Sequence, residues 1–118
     1  MNNFLIKNAK IVNEGKLFDA DVLIRNKRIE RIDKNIQVNF GVTEINAESL
    51  YLLPGVIDDQ VHFREPGHTH KANIYTESRA AVAGGVTSFM EMPNTVPPAF
   101  TLDLLEEKYA IAEQNALA

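Results

Sequence analysis

The chain has 118 residues, 45% of them hydrophobic and 24% charged, with a formal net charge of -4 and a pI near 5.3. That acidic balance argues against a nucleic-acid partner, which normally needs a basic face, and the absence of cysteine excludes disulfides, thiolate catalysis and zinc–thiolate centres. Apolar runs of about 18 residues are absent and the opening Met1-Asn2-Asn3-Phe4 lacks a basic, then apolar, leader, so neither a membrane span nor a signal peptide is expected.

The length allows one ordinary domain with a small core. In chain order, Phe4 to Val12 is rich in Ile, Leu and Val and predicts a strand, closed by a turn at Asn13-Glu14-Gly15. Asp21 to Ile24 and Arg28 to Ile32 flank the polar Arg25-Asn26-Lys27 and predict a hairpin. Val42 to Ala47 is another expected strand. Helical periodicity is absent from this half. Residues 1–53 therefore read as a β-rich segment, a small sheet or half-sandwich.

The pattern changes near Pro54. Leu52 to Ile57 is apolar on both faces, as in a strand buried inside an α/β fold. Ile74 to Ala83 is Ala-rich and predicts a helix, ended by Gly84-Gly85. Val86 to Met92 predicts a second buried strand, and Pro93, Pro97 and Pro98 mark a loop. Thr101 is a good N-cap with Asp103 in the first turn. Leu102, Leu105, Tyr109, Ala112 and Ala116 then share one helix face, and Ala118 is expected to lie within that helix. Strand, helix, strand, helix predicts parallel βαβ packing. Two strands and two helices do not make a stable sheet alone, and a (β/α)₈ barrel takes about 250 residues, so 54–118 reads as the start of a larger domain.

Chemistry concentrates at the ends of the two later strands. Residues two apart in a strand point the same way, so Asp58, Gln60, His62 and Arg64 are expected on one side. Polar groups ending an apolar strand are costly unless used, and in parallel barrels that rim carries the active site. Glu91 and Asn94 sit at the corresponding end of the second strand.

Pro54-Gly55-Val56-Ile57-Asp58 through His62-Phe63-Arg64-Glu65-Pro66-Gly67 resembles the dihydroorotase signature of the amidohydrolase superfamily. Met92-Pro93-Asn94-Thr95 resembles the family's second signature, and Leu5 to Val12 its usual first strand. The resemblance implies a β-sandwich followed by a metal-dependent (β/α)₈ TIM barrel, begun but incomplete here. It implies a cytoplasmic hydrolase of pyrimidine biosynthesis that interconverts dihydroorotate and N-carbamoyl-aspartate with one or two zinc ions, as a homodimer at full length, without nucleic-acid or membrane partners. His62 matches the second histidine of the His-x-His metal pair, and Arg64 and Asn94 match the residues that hold the substrate carboxylate. An Arg fork suits that planar group. Gln60 replaces the first metal histidine, and a neutral amide oxygen is a weaker zinc ligand than imidazole. Weak ligation by Gln60, a one-metal site, and a non-catalytic homologue all remain open. An allantoinase- or hydantoinase-type cyclic amide hydrolase is the other enzymatic alternative. No catalytic residue is assigned within this chain, which by itself is expected to be inactive and marginally folded.

Each residue also has a plainer reading. Arg64 and Glu65 together form a surface ion pair in the simplest case, and Asn94 shapes a turn. Asp58 is expected to orient the ligand positions from behind, whereas Asp59 points away. His68 and His70 follow Pro66-Gly67 in a loop and read as solvated. Glu91 reads as a buried, hydrogen-bonded strand residue, and Gly84-Gly85 as helix-end glycines without nucleotide-binding character.

Overall fold

The structure is a computed structural model that describes residues 3–118. Met1 and Asn2, on which the reading of the leader partly rests, lie outside the described residues. The chain divides into two compact units, Met1–Pro54 and Gly55–Ala118.

The first unit is a five-stranded sheet. Strand β1 (Phe4–Asn13) pairs antiparallel with β2 (Lys16–Arg25), which pairs antiparallel with β3 (Arg28–Asp33). The β1–β2 turn places Glu14 and Gly15 at φ 48° and 72°, and the β2–β3 turn places Asn26 and Lys27 at 50° and 63°. Two successive left-handed residues match the twist of the flanking strands, so both hairpins close tightly. Strand β2 starts at Lys16, five residues before the expected Asp21, because ladder pairing runs on to the turn.

Strands β4 (Thr43–Asn46) and β5 (Tyr51–Leu52) lie parallel to β1 on its other edge. They act as one strand interrupted by a turn. Ala47 N donates to Lys7 O at 2.8 Å, Leu50 N to Ala47 O at 2.9 Å, and Lys10 N to Leu50 O at 3.0 Å. The interruption matches a bulge in β1, where Ile6 and Ala9 pair with Val22 and Ala20. Ala9, Ile11, Ala20, Val22 and Ala47 form one apolar cluster, and Leu5, Leu23 and Ile36 a second.

Asp21 sits opposite the bulge and is almost completely buried. Its carboxylate accepts from Asn8 N at 2.9 Å, Ile36 N at 2.9 Å and Lys7 Nζ at 2.7 Å. Burial alone would raise its pKa. The Lys7 hydrogen bond and the two backbone donors outweigh burial and hold the carboxyl below its ordinary 3.8.

The second unit runs β6 (Val56–Val61), α1 (Ile74–Ala83), β7 (Val86–Glu91) and α2 (Leu102–Asn115), with β6 and β7 parallel. The expected Leu52–Ile57 strand divides at Pro54, which has no N–H to donate to a ladder. Tyr51 and Leu52 pair with β1, and the second strand starts at Val56. Val56 and Ile57 are also 54% and 67% exposed. Adjacent strand residues point to opposite faces, so neither face is covered at the start of β6, while further along β7 Phe89, Met90 and Glu91 line a cavity against α2.

Helix α1 begins with a capping box. Asn73 Oδ1 accepts from Thr76 N at 2.9 Å, and Asn73 N donates back to Thr76 Oγ1 at 3.4 Å. Gly84 ends it, with Gly85 at φ 90°. Helix α2 stops at Asn115 instead of continuing to Ala118. Ala116 is extended, and Leu117 N donates at 3.1 Å to the hydroxyl of the fully buried Ser78 on α1. Leu102 and Tyr109 on the expected apolar face stay 77% and 63% exposed, and the buried residue of α2 is Lys108.

Candidate functional site

The tips of β6 and β7 are laced together. Met92 N donates to Val61 O at 3.0 Å, continuing the ladder one residue past β7. Phe63 N donates to Glu91 Oε1 at 3.1 Å, and the Phe63 ring meets Phe89 edge to face with centroids 4.5 Å apart. Such an aromatic pair adds about 0.5–1.5 kcal/mol beyond its buried area. Phe63 and Glu91 thus fix the chain on the inner side, and His62, between Val61 and Phe63, is left exposed.

Beyond the strands, the loop at Arg64 to His68 lies against the loop after Asn94. Val96 N donates to Pro66 O at 3.1 Å. Gly67 has φ 88°, and a side chain there would collide with the Val96 carbonyl, so only glycine suits both the backbone and the space. Thr95 is buried and its hydroxyl donates to Pro97 O at 2.9 Å.

This docking brings His62 and Asn94 together, with 3.0 Å between Nδ1 and Oδ1. With Oδ1 as acceptor, the imidazole proton sits on Nδ1 and Nε2 keeps its lone pair. That is the arrangement of a histidine ready to bind a metal through Nε2, its other nitrogen oriented by an acceptor. Gln60 lies exposed on the strand two residues before. Arg64 lies two residues after, half-buried, with φ 69°. A left-handed conformation costs a non-glycine residue about 1–2 kcal/mol, so surrounding contacts must enforce it. His68 N donates to Arg64 O at 2.9 Å and holds that turn.

The expected shared parity of Asp58 and His62 does not hold. Asp58 pairs with Phe89 and Val61 with Glu91, so three steps of β6 match two of β7. Within this irregularity Asp58 Oδ1 accepts from Gln60 N at 3.1 Å. Asp58 therefore shapes the backbone that carries Gln60. Glu65 pairs with the start of α1 and not with Arg64: its Oε2 accepts from Ile74 N at 2.9 Å, an anion at a helix N-terminus. The rings of His68 and His70 stand 6.1 Å apart. Among the described residues no three His, Cys, Asp or Glu side chains group closely enough to hold a metal. This segment thus fits a contribution to a metal centre, one imidazole nitrogen and one amide, and not a complete donor set.

The residue that sequence reasoning missed is Lys108. It is buried on α2, forms an ion pair with Glu91 Oε2, and donates to Met92 O at 2.8 Å. Burial pulls its ammonium below the ordinary 10.5. A signal existed: Lys108 follows Leu105 by three and precedes Ala112 by four, which puts it on the inward stripe. Phe63, Phe89, Leu105 and Tyr109 join the Glu91–Lys108 pair around a cavity of about 220 Å³.

Comparison with known proteins agrees with this architecture. A dihydroorotase from Methanosarcina acetivorans is 40% identical over 99% of this chain, and one from Staphylococcus aureus is 39% identical over 95%. The L-hydantoinase (dihydropyrimidinase) of Arthrobacter aurescens superimposes with a TM-score of 0.90 at 30% identity, over 97% of this chain and 26% of that one. The chain spans about a quarter of the length of these dihydroorotases, 25% and 26%. No helix among the described residues is long and apolar enough to cross a membrane. A β-rich segment leading into the first βαβα units of an amidohydrolase TIM barrel is the fold class that the sequence implied. A family model described as Dihydro-orotase-like matches residues 50–115, and the chain belongs to that family.

Proposed function

We propose that this chain is the N-terminal part of a dihydroorotase that reversibly hydrolyses dihydroorotate to N-carbamoyl-aspartate. The observation that carries the reading is the 3.0 Å contact between His62 and Asn94, which joins two motif residues from separate strand tips. Likeness to dihydroorotases at about 40% identity supports the substrate class.

In this reading His62 offers Nε2 to a zinc site of one or two ions, and Gln60 offers a weaker amide oxygen. When bound, zinc supplies a Lewis acid for the ring amide carbonyl and lowers the pKa of water. Arg64 holds the substrate carboxylate with a two-pronged guanidinium, and Asn94 adds an amide contact while keeping His62 oriented. Asp58 fixes the backbone of Gln60 from behind. The remaining donors and the proton-transfer group come from outside residues 1–118. The 1–53 segment belongs to the sandwich and 54–118 to the catalytic barrel. A homodimer in the cytoplasm, within pyrimidine biosynthesis, completes the reading.

The likeness to hydantoinases favours a second enzymatic reading, hydrolysis of an uncharged cyclic amide. Arg64→Lys in the full-length protein separates the two. A dihydroorotase loses bidentate contact, so KM for dihydroorotate rises about tenfold while zinc content stays constant. Unchanged KM removes the carboxylate role, and turnover of hydantoin in preference to dihydroorotate selects the second reading. Absence of turnover of either substrate by the unsubstituted full-length protein selects a non-catalytic homologue, the outcome that Gln60 would explain.

A further inference from the structure

The buried pair Glu91–Lys108 lies behind the tip that carries His62 and Asn94, and no step of the proposed reaction uses it. We propose that Glu91 and Lys108 are positioning residues that set the backbone of both strand tips and thereby hold His62 against Asn94. The inference rests on the reading of His62 and Asn94 given above.

Each atom of the pair has a separate task. Glu91 Oε1 accepts from Phe63 N at 3.1 Å, which fixes the peptide that leaves His62. Glu91 Oε2 meets the Lys108 ammonium. Lys108 Nζ also donates to Met92 O at 2.8 Å, two residues before Asn94. Met92 N in turn donates to Val61 O at 3.0 Å, fixing the peptide that enters His62. The peptides on both sides of His62, and the Met92–Pro93 peptide just before Asn94, are therefore held by three hydrogen bonds joined through the Glu91–Lys108 ion pair. That set connects β6, β7 and α2.

Simple packing would not call for ions here. The side chains of Lys108 and Glu91 retain only 8% and 11% of their accessible surface, beside Phe63, Phe89 and Leu105. Replacing such a pair by apolar residues of similar volume is often neutral or stabilising. What an apolar pair cannot supply is an acceptor for Phe63 N and a donor for Met92 O.

The test uses the full-length protein with zinc as the probe. Two quantities are read: hydrogen exchange at the Phe63 amide and zinc affinity by competition with a chelating dye. Glu91→Gln and Lys108→Met should each speed Phe63 exchange and weaken zinc binding by about tenfold, the scale set by groups that orient metal ligands. Lys108→Arg keeps the charge and a donor for Met92 O, and should recover most of both. Glu91→Asp keeps the charge facing Lys108 but withdraws from Phe63 N, so it should lower zinc affinity with little change in thermal midpoint.

Folded variants that melt earlier yet keep the parent's Phe63 protection and zinc affinity would overturn the proposal and leave a pair that serves packing alone. Should Glu91→Gln and Lys108→Met fail to fold, Glu91→Asp decides by the same two readings. A parent protein that binds no zinc would sink the metal reading of His62 instead. Phe63 exchange and the His62–Asn94 contact, followed by NMR, would still judge the pair.

Discussion

Among the described residues each unit holds one largely buried lysine–carboxylate pair, and the two pairs sit in opposite settings. Lys7–Asp21 lies within a sheet whose apolar clusters are covered, with Leu5, Ala9, Val22 and Leu23 all under 5% exposed. Asp21 serves the chain's own irregularity, the bulge at Lys7 and Asn8. Lys108–Glu91 lies beside a cavity, in a two-stranded sheet whose Val56, Ile57 and Met90 stay more than half exposed. The first pair holds an interior that packing already defines. The second holds an edge that packing within its unit leaves loose. A lysine–carboxylate pair thus stabilises a fold in one place and, in the proposed reading, orders a candidate site in the other.

The comparison can be broken first at Asp21. Asp21→Ala strands a partly buried ammonium and two amide donors, and should cost about 3 kcal/mol by urea denaturation. The sign of its pH dependence follows from the depressed pKa. The unfolded state takes up protons first, so the Asp21 contribution is complete above the ordinary 3.8 and is lost as pH falls through the lower folded value. Asp21→Asn should flatten that acid limb, and an unchanged limb would assign acid unfolding to other carboxylates.

Packing gives the next contrast. Leu23→Ala in the covered cluster should cost about 2–5 kcal/mol, whereas Leu102→Ala on the exposed face of α2 should stay within about 0.5 kcal/mol. Equal losses would mean that α2 is covered in the full-length protein, and would sharpen the view that its apolar stripe belongs to a larger interface. The smallest effect concerns a helix end. Asn73→Ala removes one arm of the α1 capping box and should cost about 1 kcal/mol. Helix-specific exchange of the Thr76 amide checks it.

Much of the fold was legible because its signals are local. The Asn13-Glu14-Gly15 and Arg25-Asn26-Lys27 turns, the helix from Ile74 to Ala83 with its Gly84-Gly85 end, and the Thr101 cap all announce themselves within a few residues. The errors fell where longer-range pairing intervened. Tyr51 and Leu52 joined β1, and Ser78 captured Leu117 and ended α2. Asp58 lost its expected parity because an irregular register, invisible in composition, sits between it and Val61.

The amino-acid order alone determined the sequence of strands and helices, the placing of polar motif residues after apolar strands, and the family resemblance. The first two follow from propensity, periodicity and spacing, and the third from the motifs Pro54 to Gly67 and Met92 to Thr95. Only tertiary structure decided that His62 meets Asn94 across 32 positions, that Glu65 caps α1 and not Arg64, and that a lysine in an apolar stripe reaches Glu91 and Met92. Each of these is a choice of partner, and partners distant in sequence are selected by backbone register and burial, which no local pattern encodes.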